Sequence, residues 1–523
     1  MGSPFREALR AHRRDEGSSA RRWAYLPYDQ LTLDMGPLAG LPAQEQGIVL
    51  IESRAKAKRR PYHKQKLAFI LSNQRHFALE QATRGVAVRY LGGESGYAEQ
   101  LDALDLDAPL LMMEAAELEL RDELQPLVDA GRLELHPHEG WLSTDEDFAA
   151  AGPTNGPWRM DAFYRAIRRR TGVLMQKGKP EGGRFSFDAK NREAWRGDPP
   201  PPPLPSFEPD AITEEVVALI EEHFGSHPGE LRVEHLPVTQ AHAKTQWRWF
   251  LDHALPHFGP YQDAMSVHSS SLFHARISGL LHLHRLSPKR VVDEVAGRED
   301  ISIESREGFV RQVLGWREYV RQVHRHTDGF RKVEQTNHFD AQQDLPPAFW
   351  GKPSGLGCLD HVVEEVWREG YGHHITRLMV LSNLAALLGV HPDQINEWFW
   401  VAYHDAFDWV VEPNVRGMGI HALGDLITTK PYICSGAYIN RMSDYCRGCA
   451  FNPKKDCPIT SMYWAFLDRH KEQLVQLGRM QRPLWSLEKR DAQRRERDRA
   501  VMDWVATALA QGRVLDPAEG PSG

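Results

Sequence analysis

The chain has 523 residues, and 64 Lys and Arg against 71 Asp and Glu leave a formal net charge of -7. That length predicts roughly two to four domains, and the acid excess excludes a uniformly basic nucleic-acid binder, although mixed charges and a high Trp content leave room for a local basic face. Five unevenly spread cysteines argue against a disulfide scaffold. No run approaches the roughly 18 apolar residues of a membrane span, and the first residues carry charges rather than a signal segment, so the expected location is cytoplasmic.

Residues 1–23 read as an N-terminal extension with scattered charges at Arg6, Glu7, Arg10, Arg13, Arg14, Asp15 and Glu16. From 24 to 152, short apolar runs alternate with amphipathic helical patterns. "GIVLIES" (47–53), "VAVRYLGG" (86–93), "PLLMMEA" (109–115) and "LELHP" (133–137) predict buried strands, with helices over 64–83 and 119–131 between them. This is the pattern of a Rossmann-like α/β domain with a parallel sheet, without the G-x-G-x-x-G of dinucleotide binders. Residues 153–211 read as an interdomain linker, because "GDPPPPPLPSFEPDA" (197–211) favours an extended polyproline spacer. From 212 to 523 the patterns are helical throughout, which predicts an all-α domain. Its last segment, 487–511, reads as a charged helix with a solvated face.

"YCRGCAFNPKKDCPI" (445–459) gathers Cys446, Cys449 and Cys457 in a short stretch. Three converging sulfurs suit a metal better than a disulfide, and the fourth ligand is either Cys434 or Cys358. Zinc would favour the nearby Cys434, but no second C-x-x-C is present. Iron–sulfur ligation tolerates outlying thiolates and the Pro after Cys457. Spacing alone leaves iron–sulfur, zinc and structural or redox thiols open.

"EGFVRQVLGWREYVR" (307–321), "YGHHITRLMVLSN" (371–383), "YHDAFDWVVEPNVRGMG" (403–419) and "TKPYICSGAYINRMSDYC" (429–446) together resemble the cryptochrome/photolyase superfamily. More narrowly they resemble its iron–sulfur bacterial branch, the prokaryotic (6-4) photolyases, over nearly the whole chain. The resemblance implies an α/β antenna-type domain joined by a long linker to an all-α FAD-binding domain with a C-terminal [4Fe-4S] cluster. It assigns the cluster to Cys358, Cys446, Cys449 and Cys457, and makes Cys434 a buried small hydrophobe.

For FAD, the resemblance points to Ser270, with Ser271 beside it, at the phosphates. Arg377 and Asp405 then lie against the isoalloxazine ring, with Asn414 as a further ring contact. A buried Arg and Asp need each other to offset desolvation. Relatives carry a lumazine antenna in the α/β domain, where Asp29 matches a chromophore contact. Lys56 and Arg59 depart from the family there, leaving an empty pocket or an altered ligand as the alternative.

The implied activity is a light-driven lyase acting on UV-damaged DNA, in which excited reduced FAD passes an electron to a flipped (6-4) pyrimidine photoproduct. His373 and His374 would move the proton, and Glu318 would supply a pocket carboxylate, with Trp316 and Tyr319 as walls or plain core. Basic runs at 59–66, 164–179 and 438–448 are candidate phosphate contacts. For electron supply, Trp398 would stand nearest the flavin and pass charge directly to Trp350, because Phe399 replaces a Tyr of relatives. The alternative is a cryptochrome-like photoreceptor with the same cofactors. A monomer is expected.

Overall fold

The computed structural model describes residues 2–12 and 21–521. Five parallel strands, β1 (Arg22–Tyr25), β2 (Gln46–Ser53), β3 (Ala87–Gly93), β4 (Leu110–Met113) and β5 (Leu133–His136), form one sheet in the order β3-β2-β1-β4-β5. The central run Ile48–Ile51 is fully buried, as its unbroken apolar character requires. The sequence reading missed β1, whose "RWAY" is too short and too polar at its start to announce a strand. Trp23 of β1 lies opposite Gly47 of β2, and a Cβ at position 47 would meet the Trp23 ring at 2.5 Å. Glycine at that point lets the indole lie flat on the neighbouring strand.

The N-terminal segment is a helix, Pro4–Ala11, capped by Ser3. Phe5 is buried edge-to-face on Tyr90 at 4.6 Å, while Ser3 Oγ and the Phe5 amide both donate to Glu215, at 2.6 and 2.9 Å. This helix straps β3 to the helix Ala211–Phe224 of the following region. The expected charges at Arg13, Arg14, Asp15 and Glu16 lie outside the described residues.

Lys66, in the helix Lys64–Thr83, reaches across to the helical half and donates to the carbonyls of Trp400 and Ala406 at 3.1 and 2.6 Å. Burial holds its ammonium well below the usual lysine range, with Lys56 and Arg60 adding to the effect. The run 59–66 is therefore a row of spent cations. Arg59 pairs with Glu123, Arg60 with Glu119 and Glu397, and Lys64 with Glu221. The linker also does more than span: its helix Met160–Thr171 packs on the turns at Arg311–Arg317. Arg168 there is fully buried on the carbonyls of Val173, Leu174 and Phe185, so it is a structural cation.

The remainder is helical, and π-helical turns interrupt it at Phe250–Ala254, Arg311–Arg317, Arg377–Ser382 and Pro413–Gly419. A π turn inserts one residue and rotates the following side chains, a device that recurs at functional sites. The last helix, Ala492–Ala510, is only half solvated. Val501, Met502, Val505, Ala508 and Leu509 bury one face, which packs on the helix Pro458–Arg469. No described helix is long and apolar enough to cross a membrane.

Burial lowers the imidazoles of His63, His284 and His404 from 6.5 to about 4. Between those values the unfolded chain binds protons that the folded chain refuses, so stability falls as pH drops through that window. Asp29, raised by burial to about 7, works the other way, as do the raised carboxyls of Glu117, Asp408 and Asp498, while the lowered imidazoles of His138, His282, His421 and His470 add to the falling side. The unfolding temperature, measured from pH 7 down to pH ~4, should therefore fall steadily from about pH 6.5. A flat profile would show these rings to be solvated.

Candidate active site

The helical half encloses a cavity of about 1560 Å³. Three of the π turns face it, through Arg311 and Trp316, through Arg377 and Ser382, and through Asn414 and Val415. The linker adds Tyr164 and Arg165 to its wall.

Arg377 and Asp405 meet as the sequence required. Their Nη1–Oδ1 and Nη2–Oδ2 separations are both 3.0 Å, a two-pronged ion pair. Ser278 Oγ donates to the same carboxylate at 2.6 Å, and Arg377 Nε donates to the Gly372 carbonyl at 2.6 Å. The guanidinium lies 3.8 Å above the Tyr403 ring. Burial alone would raise the Asp405 carboxyl, but Arg377 overrides it and holds it well below the usual range. The pair is thus fully charged on the cavity wall.

His373 and His374 also line the cavity, joined by His274, which the sequence reading passed over. The rings of His274 and His373 stack at 4.5 Å and 8°, and His374 meets His274 edge-on at 5.4 Å. Ring nitrogens of the three lie within 4.8 Å of one another. Burial, then proximity to each other and to His374, holds His274 and His373 well below the usual imidazole range. His374 differs: its side chain is 44% exposed, and Nε2 lies 3.4 Å from Asp263 Oδ1.

Other expected site residues sit elsewhere. Glu318 is fully buried away from the cavity lining. Its Oε2 accepts from the amides of Leu142 and Ser143 at 2.8 and 2.9 Å and from Ser143 Oγ at 2.9 Å, while Arg317 Nη1 donates to Oε1 at 2.5 Å. It anchors the loop after β5 rather than facing a ligand. Of its neighbours, Trp316 lines the cavity and Tyr319 is core. Ser270 and Ser271 lie in a turn, off the cavity wall, bonded to Glu369 and Arg276. A carboxylate beside Ser270 would repel a phosphate. From the same "HSSSLFHARISG" stretch, the run from His274 to Ser278 reaches the cavity, with His274, Arg276 and Ser278 as its polar members. Any His and Arg three to six residues beyond the serines deserved the same weight as the serines themselves.

Of the three basic runs, 438–448 borders the cavity through Tyr438, Arg441 and Met442, joined by Lys430 and Arg479, and 164–179 borders it through Tyr164 and Arg165. Trp398 is buried behind Phe399, and Phe399 is the one on the wall.

Cys358 opens the helix Gly357–Glu369 and faces the segment 446–457. A Cβ on Gly357 would lie 3.2 Å from Cys449 Cβ, and one on Gly436 would lie 2.7 Å from Cys457 Sγ. Cys358 interacts electrostatically with Cys457, Cys446 and Cys449. Among the described residues only the histidine trio brings three ligand atoms within 4.8 Å. The sulfurs are therefore not drawn together as the ~2.3 Å Zn–S bonds of a preformed zinc site would require. Cys434 instead lines the large cavity, with its Sγ 3.6 Å from the Met379 carbonyl.

A second cavity of about 210 Å³ lies in the α/β region, lined by Tyr28, Lys56, Tyr62, Lys66, Tyr97 and Arg6 of the N-terminal helix among others. Lys56 is held there by Glu117 and Glu119 at 2.6 and 2.9 Å, and Asp29 is not on its wall.

Comparison with known proteins gives the lineage. The chain is 35% identical to the (6-4) photolyase of Agrobacterium fabrum over 473 residues, covering 87% of this chain and 93% of that one. The chain belongs to the cryptochrome/photolyase superfamily, in its prokaryotic (6-4) photolyase branch. A family model described as deoxyribodipyrimidine photo-lyase-related protein matches residues 25–236. The fold is that of a bacterial class III photolyase from Agrobacterium tumefaciens (TM-score 0.51, 15% identity, 94% of this chain and 100% of that one). It is also that of a Synechocystis cryptochrome (TM-score 0.57, 15% identity, 92% and 99%). Photolyases of this superfamily are FAD proteins. The large cavity fits such a group: it exceeds the usual ~300–1,000 Å³ of a single-ligand pocket. Buried donors and acceptors without protein partners, among them His373 Nδ1, His274 Nε2, Arg311 Nη2 and Gln262 Oε1, belong to residues on its wall. The small cavity does not fit a lumazine. It falls below that range, and Lys56 on its wall is held by two glutamates.

Arg377→Ala would leave Asp405 charged and unpaired, at a cost on the order of 3–5 kcal/mol. The variant should purify without flavin. Glu318→Ala should keep a full flavin complement while its unfolding temperature drops, because Arg317 is then the stranded charge. Absorbance at the flavin bands and a melting curve on both proteins separate the two roles.

Proposed function

We propose that this protein is a light-dependent DNA repair lyase that reverses (6-4) pyrimidine photoproducts. The observation that carries the reading is the histidine trio on the wall of the Arg377–Asp405 cavity, which combines a proton-handling group with a charged flavin-type site. FAD, bound, reduced and excited by light, supplies the electron that opens the lesion.

Arg377, Asp405 and Asn414 would hold the isoalloxazine, the first two as a fixed dipole that favours negative charge on the ring. Arg311 and Arg276 are on the wall, where Ser270 is not, and would offset the pyrophosphate by sharing charge with the carboxylates they already meet, Asp188 and Glu307 for Arg311 and Glu369 for Arg276. The remaining volume receives the flipped dinucleotide, whose extrusion costs a few kcal/mol and is cheapest for a damaged pair. Lys430, Arg441 and Arg479, with Arg165 of the run 164–179, would neutralise phosphates at the cavity, while the run 59–66 is largely consumed by internal ion pairs and carbonyls, as are Arg168 and Arg170.

The proton has one place to sit. Stacked imidazoles cannot both carry charge, and burial keeps His274 and His373 neutral, so the partly exposed His374, with Asp263 behind it, is the donor. His373 presents a neutral ring to the lesion, and His274 fixes its plane. His374 would protonate the hydroxyl on the 5′ base as its C–O bond breaks; the oxygen adds to C4 of the 3′ base, the bond joining the two bases breaks, and a proton shed as the C4 carbonyl re-forms returns to His374. Division at residues 24–152, 153–211 and 212–523 is the domain reading we retain, with the linker helix forming part of the active-site wall.

The four cysteines Cys358, Cys446, Cys449 and Cys457 would hold a [4Fe-4S] cluster, which suits thiolates spread more widely than a single metal allows. Its binding would tie the helix Gly357–Glu369 to the C-terminal segment.

Oligonucleotides carrying a (6-4) product, illuminated with reduced protein, test the activity. His374→Ala should abolish repair while flavin content and lesion affinity stay near the parent, and Asp263→Asn should slow repair with the same affinity. Full repair by His374→Ala would remove it as donor. A parent that binds but never repairs the lesion would point to signalling instead.

For the cluster, iron analysis of the purified proteins is decisive. Cys358→Ser and Cys446→Ser should lose iron and much of their soluble yield, whereas Cys434→Ser should keep both. The opposite pattern would exchange Cys434 for Cys358 in the ligand set.

A further inference from the structure

We propose that the helix Gln481–Glu488 carries a DNA track, a stripe of Arg479, Arg482, Trp485 and Lys489 that seats the duplex arm on one side of the lesion. The inference rests on reading the large cavity as the lesion site. Arg479 stands on the wall of that cavity and the helix begins two residues later, so the stripe starts at the rim and runs away from it. Along the helix and its C-cap, Arg482, Trp485 and Lys489 follow at i, i+3 and i+7, which places them on one face. All three are exposed, while Leu484 and Leu487 bury the other side of the helix. From Arg479 to Lys489 the track measures roughly 15 Å at ~1.5 Å per residue, the length of about four base pairs at ~3.4 Å each.

Charge selects the occupant. The cations around the stripe are already neutralised: Lys471 pairs with Glu488 at 3.1 Å, Arg490 with Asp498 at 2.7 Å and Arg499 with Asp468 at 2.8 Å. Among the described residues no carboxylate pairs with Arg479, Arg482 or Lys489. Unpaired cations in a row gain on meeting a polyanion, whose condensed counterions they release.

Trp485 decides between a polyanion and a second protein. It is the most exposed tryptophan among the described residues, at 60%. Trp350, at 47%, spends one face on Trp367, which in turn packs on Trp398. Among the described residues the one ring contact of Trp485 is the Lys489 ammonium, 3.1 Å from its centroid. A dry protein interface would strip water from that ammonium and leave it without an acceptor. A phosphate supplies the acceptor, and the apolar indole then covers the deoxyribose between phosphates. The cation–π contact holds both groups in one orientation before DNA arrives.

The test measures binding of the full chain, loaded with FAD, to fluorescein-labelled duplexes in the dark, by anisotropy over a range of salt concentrations. One duplex carries a (6-4) product at its centre, one is undamaged, and two more carry the product with the arm removed on its 5′ or its 3′ side. Replacing Arg482→Ala and Lys489→Ala together should reduce the steepness of log K against log salt by ~1.8, two phosphates at ~0.9 each, on the damaged and the undamaged duplex alike. Trp485→Ala should weaken both several-fold at an unchanged slope. On one of the two shortened duplexes, the one lacking the seated arm, the deficit of both variants should vanish. These side chains are exposed, so the variants should melt with the parent. A double variant with the parent's slope overturns the track, and so does a deficit that persists on both shortened duplexes. The two readings fail separately: a parent that binds damaged and undamaged duplexes alike and never repairs overturns the lyase reading, while the salt slope still decides the track.

Discussion

The ion pair between Arg377 and Asp405 sets the terms for everything around it. Two full charges taken out of water must be met with excellent geometry or abandoned, and here each is met several times over. Arg377 also holds the Gly372 carbonyl and the Tyr403 face, while Asp405 also accepts from Ser278. Those contacts pin the segments before and after the pair, and with them His373 and His374, which precede Arg377 by a few residues. The acid–base group and the flavin-type site are therefore positioned by one electrostatic constraint.

The histidines show how neighbours assign roles to identical side chains. His274 and His373 are forced neutral by burial and by each other, whereas His374 keeps solvent on one side and a carboxylate on the other. No intrinsic property of the residues sets the proposed donor apart from its two neighbours. A stack, a carboxylate and a degree of exposure do.

Much of this was legible in the chain. The β2 run and the Arg377 and Asp405 partners could be picked out because their chemistry is local or carried by long motifs. What could not be read was decided by rotation and by distance. The π turns at Arg311–Arg317 and Arg377–Ser382 shift which side chains face inward, and no periodicity argument announces them. Glu318 sits in a strong motif yet points to backbone amides of Leu142 and Ser143, contacts separated by well over a hundred residues.

Lys66 carries a consequence for how the molecule holds together. Its buried ammonium begins in one half of the chain and finds its acceptors, the Trp400 and Ala406 carbonyls, in the other. Either half standing alone would bury a cation without an acceptor or leave two carbonyls dry and unanswered, both costly. The boundary that composition draws near residue 200 is therefore one of connectivity, not of autonomy: the two halves are expected to melt as one cooperative unit, because neither contains a complete version of its own interior.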